Sequence, residues 1–116
     1  YLQHIGGTGT GIGTGENNTN IIANWCDSQF LTNTAAQRCR SLIEGGEGDW
    51  FLPSKDELDL MYDNLKVESI GGFVESTYWS SSEGSQNLGW YQYFGNGAQS
   101  DQLLYFNLWV RAIRSF

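Results

Sequence analysis

Hydrophobic and polar positions follow different periods along the chain, and the change of period separates a helical part from a β part. In residues 35–44, helical spacing is shared by four apolar side chains: Ala35, Cys39, Leu42 and Ile43. Thr34 can cap this segment, and Gly45 and Gly46 follow it as a stop signal. We therefore predict a helix over residues 35–44.

A second helix is predicted after Pro53. Ser54 and Glu57 have the spacing of a capping box, in which each side chain binds the backbone N–H of the other residue. The apolar residues of the segment fall on one side of this helix: Leu58, Met61, Tyr62 and Leu65. Together the two helices define a helical part over residues 34–65.

The last third alternates with the period of two that is typical of β-strands. Trp90, Gln92 and Phe94 alternate with Tyr91 and Tyr93, so one set faces the core and the other faces outward. The sequence Gly-Asn-Gly at residues 95–97 indicates a hairpin, and residues 109–116 are predicted as the closing strand. We assign residues 78–116 to the β part, which makes the fold class α+β.

Residues 6–20 are rich in Gly and Asn and are predicted to form a surface loop. The loop lacks the lysine of a phosphate-binding loop and the glycine spacing of a dinucleotide site. Ile21, Ile22 and Trp25 indicate a short helix or turn directly after it.

Two cysteines, Cys26 and Cys39, leave two alternatives open. They can form a disulfide, which would stabilise the domain by roughly 3 kcal/mol through the closed loop. They can also remain two buried, reduced thiols that act as small apolar side chains. We favour the disulfide, because small secreted domains use such crosslinks.

Length and charge then narrow the function classes. A chain of 116 residues makes a single domain over residues 1–116, and its net charge of −7 argues against binding to nucleic acid or anionic membranes. Its apolar runs are too short to span a bilayer, and no export leader begins it. With His4 as the sole histidine, we expect no catalytic site, no metal site and no cofactor.

Aromatic residues point to binding instead. Ten of the seventeen aromatic residues lie in the last thirty-nine positions, more than a domain of this size can bury. Exposed Tyr and Trp side chains are typical of binding surfaces. We therefore expect a binding module.

Residues 49–58 contain the motif W-x-LP-[ST]-x-x-EL, which begins at Trp50 and ends at Leu58. This motif and several others in the same order resemble one family, the C-terminal domain of the Lcl collagen-like adhesins. Further landmarks are residues 12–15, 70–73, 78–83, 90–92, 94, 96–97 and 110–116, so the resemblance runs from about Gly9 to Phe116. Members resemble C-type lectins, which implies two helices packed on a small, twisted antiparallel sheet. The extra first strand of many members is absent here or reduced to residues 1–3.

The resemblance implies two functions. The first is that of a variable protein of a diversity-generating retroelement, in which a reverse transcriptase rewrites adenine-bearing codons of the C-terminal segment. The candidate variable positions are residues 84–88, 91, 93, 95, 98, 100–106, 108 and 109. The alternative is a fixed adhesin module for a surface polysaccharide or protein. The motifs that bind sugar through calcium in C-type lectins do not occur, so we predict no such calcium.

We therefore expect one exposed binding patch. Its predicted members lie on the sheet and its loops: Tyr91, Tyr93, Ser100, Asp101, Gln102, Leu103, Leu104, Tyr105, Phe106, Leu108 and Trp109. The expected partner is a protein or glycan on a host or neighbouring cell, and the expected location is extracellular, on a cell surface or on a virion.

Overall fold

The computed structural model describes residues 4–85, 87–104 and 106–115. Within them the fold is α+β, as predicted, with three α-helices followed by an antiparallel sheet of three strands. The helices are α1 (Gly15–Ser28), α2 (Ala35–Ser41) and α3 (Lys55–Met61), and α3 continues as a π-helical turn over Tyr62–Lys66. The strands are β1 (Thr77–Glu83), β2 (Leu88–Tyr93) and β3 (Gln99–Leu103), in the order β1-β2-β3.

Helix α1 corrects two predictions. It begins inside the predicted loop 6–20, and it brings the number of helices to three where the resemblance implied two. Its buried side starts with two polar residues, Asn18 and Thr19, before Ile22, Ala23 and Cys26. Because polar side chains occupy the inward positions of the first turn, hydrophobic spacing did not reveal that turn.

Helix α2 ends at Ser41, three residues earlier than predicted. Leu42 has an extended backbone, and Glu44 and Glu47 then bridge each other around the two intervening glycines. Ile43, predicted to lie on the buried stripe, is therefore 78% exposed. The chain reverses direction at Gly45 and Gly46, so the helix ends before Ile43 even though the spacing of Ile43 fits the buried stripe.

Helix α3 confirms its predicted cap and apolar face. The Glu57 backbone N–H donates to Ser54 Oγ at 3.3 Å, and the Ser54 N–H donates to Glu57 Oε1 at 2.8 Å. Leu58 and Met61 are buried against Tyr78 of β1. The cap thus starts α3 at the position where its apolar face meets the sheet.

The sheet lies between two helical layers, which gives it two distinct faces. Its α3 face carries Tyr78 and also Phe94, which follows β2, and both pack on α3. Its opposite face, the cleft face, carries Trp79 and is covered in part by α1 and α2. Helix α1 adds a second small core there with Ile22, Cys26 and Ala36.

The closing strand predicted over residues 109–116 is wrong for its described part. Residues 106–115 are irregular, and two single bridges attach them to the body: Trp109 beside Tyr78, and Ile113 beside Phe51. The bridges lie on different partners, so no continuous ladder forms. Residue 116 lies outside the described residues, as do residues 1–3 at the expected sheet edge.

The Gly-rich loop is held by a polar junction of four side chains: Asn18, Ser54, Ser82 and Glu83. Asn18 Nδ2 and Ser82 Oγ both donate to the Gly9 carbonyl at 2.7 Å, and Ser54 Oγ donates to the Gly11 carbonyl at 2.9 Å. These residues come from α1, the start of α3 and the end of β1. The junction therefore fastens the loop to three elements at once.

No helix in the described part of the chain has the length and apolar character needed to cross a membrane.

Candidate binding cleft

Strand β2 separates its alternating residues as predicted. Gln92 and the following Phe94 are fully buried, whereas Tyr91 is half-buried and Tyr93 is 38% exposed on the cleft face. Ser100 of β3 is paired with Tyr91 and is exposed, which extends this open part of the face. Three predicted binding residues, Tyr91, Tyr93 and Ser100, thus share the cleft face.

Strand β3 splits the predicted patch. Gln102 is paired with Gly89 on the cleft face, but Asp101 is paired with Trp90 and Leu103 with Leu88. Paired residues point to the same face, so Asp101 and Leu103 lie on the α3 face. The prediction of one continuous patch is therefore wrong for these two residues, because the apolar segment begins inside a strand.

Leu104 is also a correction, since it is buried at 8% exposure. Its side chain fills the space over Gly89, where an added Cβ would lie 2.7 Å from Leu104 Cδ2 and 3.0 Å from the Trp79 ring. The absence of a side chain at Gly89 creates this position. Tyr105, the next predicted residue, lies outside the described residues.

Beside Leu104 the cleft face opens into a cavity of about 350 Å³, which we call the inner cleft. Ile22 of α1, Leu31 of the α1–α2 connection and Trp79 of β1 form part of its walls. The predicted residues Leu104, Phe106 and Leu108 complete the opposite side. Phe106 is 43% exposed, and its backbone carbonyl accepts Trp79 Nε1–H at 3.2 Å, which fixes the rim.

A second depression, the outer cleft, continues from the first between α2 and residues 107–112. Its volume is about 600 Å³, and it shares four lining residues with the inner cleft: Arg38, Asn107, Leu108 and Val110. Trp109 lines the outer cleft and is 54% exposed. The structure thus brings Leu104, Phe106, Leu108 and Trp109 together along one groove.

Arg38 is a groove residue that sequence reasoning missed. It is exposed on α2 and lines both clefts, yet its guanidinium has no hydrogen bond, ion pair or ring contact among the described residues. Helical spacing alone shows which way Arg38 points from α2, but not that α2 faces residues 107–112. That arrangement is set by tertiary packing.

The other basic side chains all have partners. Arg40 binds Asp27 at 2.5 Å, and Lys55 lies 4.0 Å from the centre of the Trp90 ring. The remaining pairs are Lys66 with Glu75, Arg111 with the Gly71 carbonyl and the Phe73 ring, and Arg114 with Asp49 and Glu47. Hydrogen bonding from Arg114 lowers the pKa of Asp49. Neither arginine of the C-terminal segment is therefore available to a ligand without losing a contact.

The disulfide that we favoured is not formed, and the second alternative holds. Cys26 and Cys39 are both free and buried. Burial raises the pKa of Cys26 and raises the pKa of Cys39 to about 12. Both thiols are accordingly protonated at neutral pH, which makes them poor nucleophiles.

Within the described residues, no three His, Cys, Asp or Glu side chains are grouped in a way that could hold a metal ion. The groove instead offers apolar walls, aromatic rims and one cation. The chain matches no protein-family model, no curated protein and no solved structure.

Proposed function

We propose that this chain is a ligand-binding display domain with a C-type-lectin fold, whose C-terminal segment presents a variable surface rewritten by a retroelement. The resemblance of its motifs to the Lcl C-terminal domain family supports the fold and the type of protein. The α+β architecture with helices on both faces of a small antiparallel sheet is compatible with it. The partner is a protein or glycan on another cell, and the domain acts outside the cell or on a virion.

One observation carries the proposal: the distribution of burial between landmark and candidate variable positions. Every described candidate position between residues 84 and 109 is exposed or half-buried, except Leu104. Among the landmarks of the β part, residues 78–83, Gln92 and Phe94 are buried, whereas Trp90, residues 96–97 and residues 110–115 are half-buried or exposed. Exposed side chains tolerate substitution because they contribute little to folding.

The landmarks also have structural tasks that a ligand site would not need. Ser82 Oγ donates to Gly9 and accepts the Lys55 backbone N–H at 2.9 Å, and Glu83 accepts two N–H groups of the loop. Gln92 Nε2 donates to Asp59 and to the Gly97 carbonyl, both at 2.9 Å. A fixed polar frame of this kind can hold a surface whose residues change.

The proposal is tested by sequencing the gene across a natural population, together with the surrounding genome. We expect a reverse-transcriptase gene nearby and a second copy of the C-terminal segment that differs at adenines. Substitutions should fall on the exposed candidate positions and spare the buried landmarks.

Two results would contradict the proposal. One is a locus without a template copy, and the other is variation spread evenly over buried and exposed positions. A locus without a template copy, together with a groove whose residues do not vary, would favour the fixed adhesin module instead.

A further inference from the structure

We infer that the groove binds the C-terminus of a partner polypeptide: an apolar last residue enters the inner cleft and its carboxylate pairs with Arg38. This inference rests on the proposed function, because it names the ligand chemistry of the same surface. Three features of the groove carry it.

The first feature is charge. The chain has thirteen acidic residues and a net charge of −7, yet none of the acidic residues lines the inner or the outer cleft. Arg38 lies where the two clefts join, and it has no hydrogen bond, ion pair or ring contact among the described residues. The groove can therefore attract one negative group, although the domain as a whole is acidic.

The second feature is the match between one guanidinium and one carboxylate. A planar guanidinium binds a carboxylate through two parallel hydrogen bonds. A ligand with several negative charges would meet the repulsion of the whole domain, with a single arginine to offset it. A single carboxylate fits these charges better than a phosphate or a sulfated polysaccharide.

The third feature is room for a side chain and for the backbone that carries it. The inner cleft of about 350 Å³ has apolar walls that suit a large aliphatic or aromatic side chain. The outer cleft continues from it past Leu108 and Val110, whose backbone groups have no hydrogen bonds among the described residues. The backbone N–H and C=O of Trp109, between them, are paired to β1 at 3.0 and 2.9 Å. Free backbone groups along such an edge can pair with an extended peptide.

The inference is tested by titrating the whole domain with a fluorescein-labelled hexapeptide, Ser-Gly-Ser-Thr-Val-Leu, that ends in a free carboxylate. The same peptide with a C-terminal amide is the matched probe without charge. We expect the acid to bind about tenfold more tightly than the amide, since the pair is a charge-assisted hydrogen bond. The ratio should fall as salt is added.

Two arginine variants then locate the effect. Arg38→Gln should reduce the affinity of the acid to that of the amide and leave the amide unchanged. Arg40→Gln, on the same helix but paired with Asp27, should keep the ratio. Arg38 is exposed and Arg40 is half-buried. Melting temperatures of both variants close to that of the native sequence will show that each variant still folds.

The inference is overturned if acid and amide bind alike, if neither binds, or if Arg40→Gln has the effect expected of Arg38→Gln. It is also overturned if 2-naphthoate binds in an Arg38-dependent way while the peptide does not, because the ligand would then be a small free acid. Population sequencing tests variability and this titration tests ligand chemistry, so each can fail without the other.

Discussion

Glu83 shows at the scale of one residue how a buried charge can organise a loop. Its side chain is 1% exposed, and its two carboxylate oxygens accept the backbone N–H groups of Ile5 and Gly6 at 2.9 Å each. Its own N–H donates to Thr8 Oγ1 at 3.1 Å. A carboxylate with two acceptor oxygens suits this pair of donors, whereas an amide offers one oxygen.

Glu83→Gln should therefore lower the free energy of unfolding by about 2 kcal/mol, because one loop N–H would then face an amide NH₂ group. Urea unfolding measures this loss. The matched control is Glu75→Gln, whose carboxylate is 72% exposed and lies 3.9 Å from Lys66. The control should lose less than about 1 kcal/mol. Equal losses in the two variants would show that Glu83 does not hold the loop.

Cys39 makes the free energy of unfolding depend on pH in the alkaline range. Burial raises its pKa from 9.0 to about 12 in the folded chain, so folding favours the protonated thiol. This contribution is complete below pH 9.0 and is lost as the pH rises towards 12. We expect urea unfolding of the native sequence to show this decline and Cys39→Ala to lack the part that comes from the thiol. Identical pH profiles would contradict the raised pKa.

Predictions for single residues succeeded where the interacting residues are close together in the sequence. The capping box of Ser54 and Glu57 formed as expected, because both partners are close in sequence. Leu104 and Arg38 could not be placed in the same way. One is buried because a distant residue is Gly89, and the other faces residues that are about seventy positions away in the chain.

Helix α1 illustrates what was missed at the scale of elements. It ends in a Schellman motif, with Leu31 N–H donating to the Cys26 carbonyl at 3.0 Å and Phe30 N–H donating to the Asp27 carbonyl at 3.1 Å. The residue in the left-handed position is Phe30, with φ of 59°, where glycine is usual. Without that glycine the sequence contains no visible stop signal.

Phe30→Gly should stabilise the domain by about 0.5 kcal/mol, because a left-handed backbone costs phenylalanine more than glycine. The Phe30 side chain is 93% exposed, so little packing would be lost. Thermal unfolding measures the change. Gln29→Gly is the control, since its φ of −96° gives glycine no such advantage and the variant should be less stable. A lower melting temperature for Phe30→Gly would show that its side chain makes stabilising contacts.

The strand predicted over residues 109–116 was wrong in its described part, because a local pattern does not show whether a partner strand lies beside it. Alternation identified β2 and its two faces, because one of those faces meets α3. Residues 109–115 alternate too, but single bridges to β1 and Phe51 replace a ladder there. Alternation reports which residues can be buried, and it does not report whether a neighbouring strand is present.

At the scale of the whole molecule, two helical layers enclose the sheet and leave one groove open on its cleft face. The helical part, the β part and the outward direction of Tyr91 and Tyr93 could be predicted from the local spacing of apolar residues. The groove was not, since its walls come from α1, α2, β1 and described residues between 104 and 112. Its position depends on how the layers meet, which no local pattern encodes.

The central claim is that a fixed core carries a changeable surface, and it is tested most directly by two randomised libraries sorted for resistance to protease. The first library varies five exposed or half-buried positions: Tyr91, Tyr93, Phe106, Leu108 and Trp109. The second varies five buried ones: Trp79, Ser81, Ser82, Gln92 and Phe94. We predict that most members of the first library stay folded and that few of the second do. If both libraries lose folded members to the same extent, the five positions of the first library belong to the core and the claim is wrong.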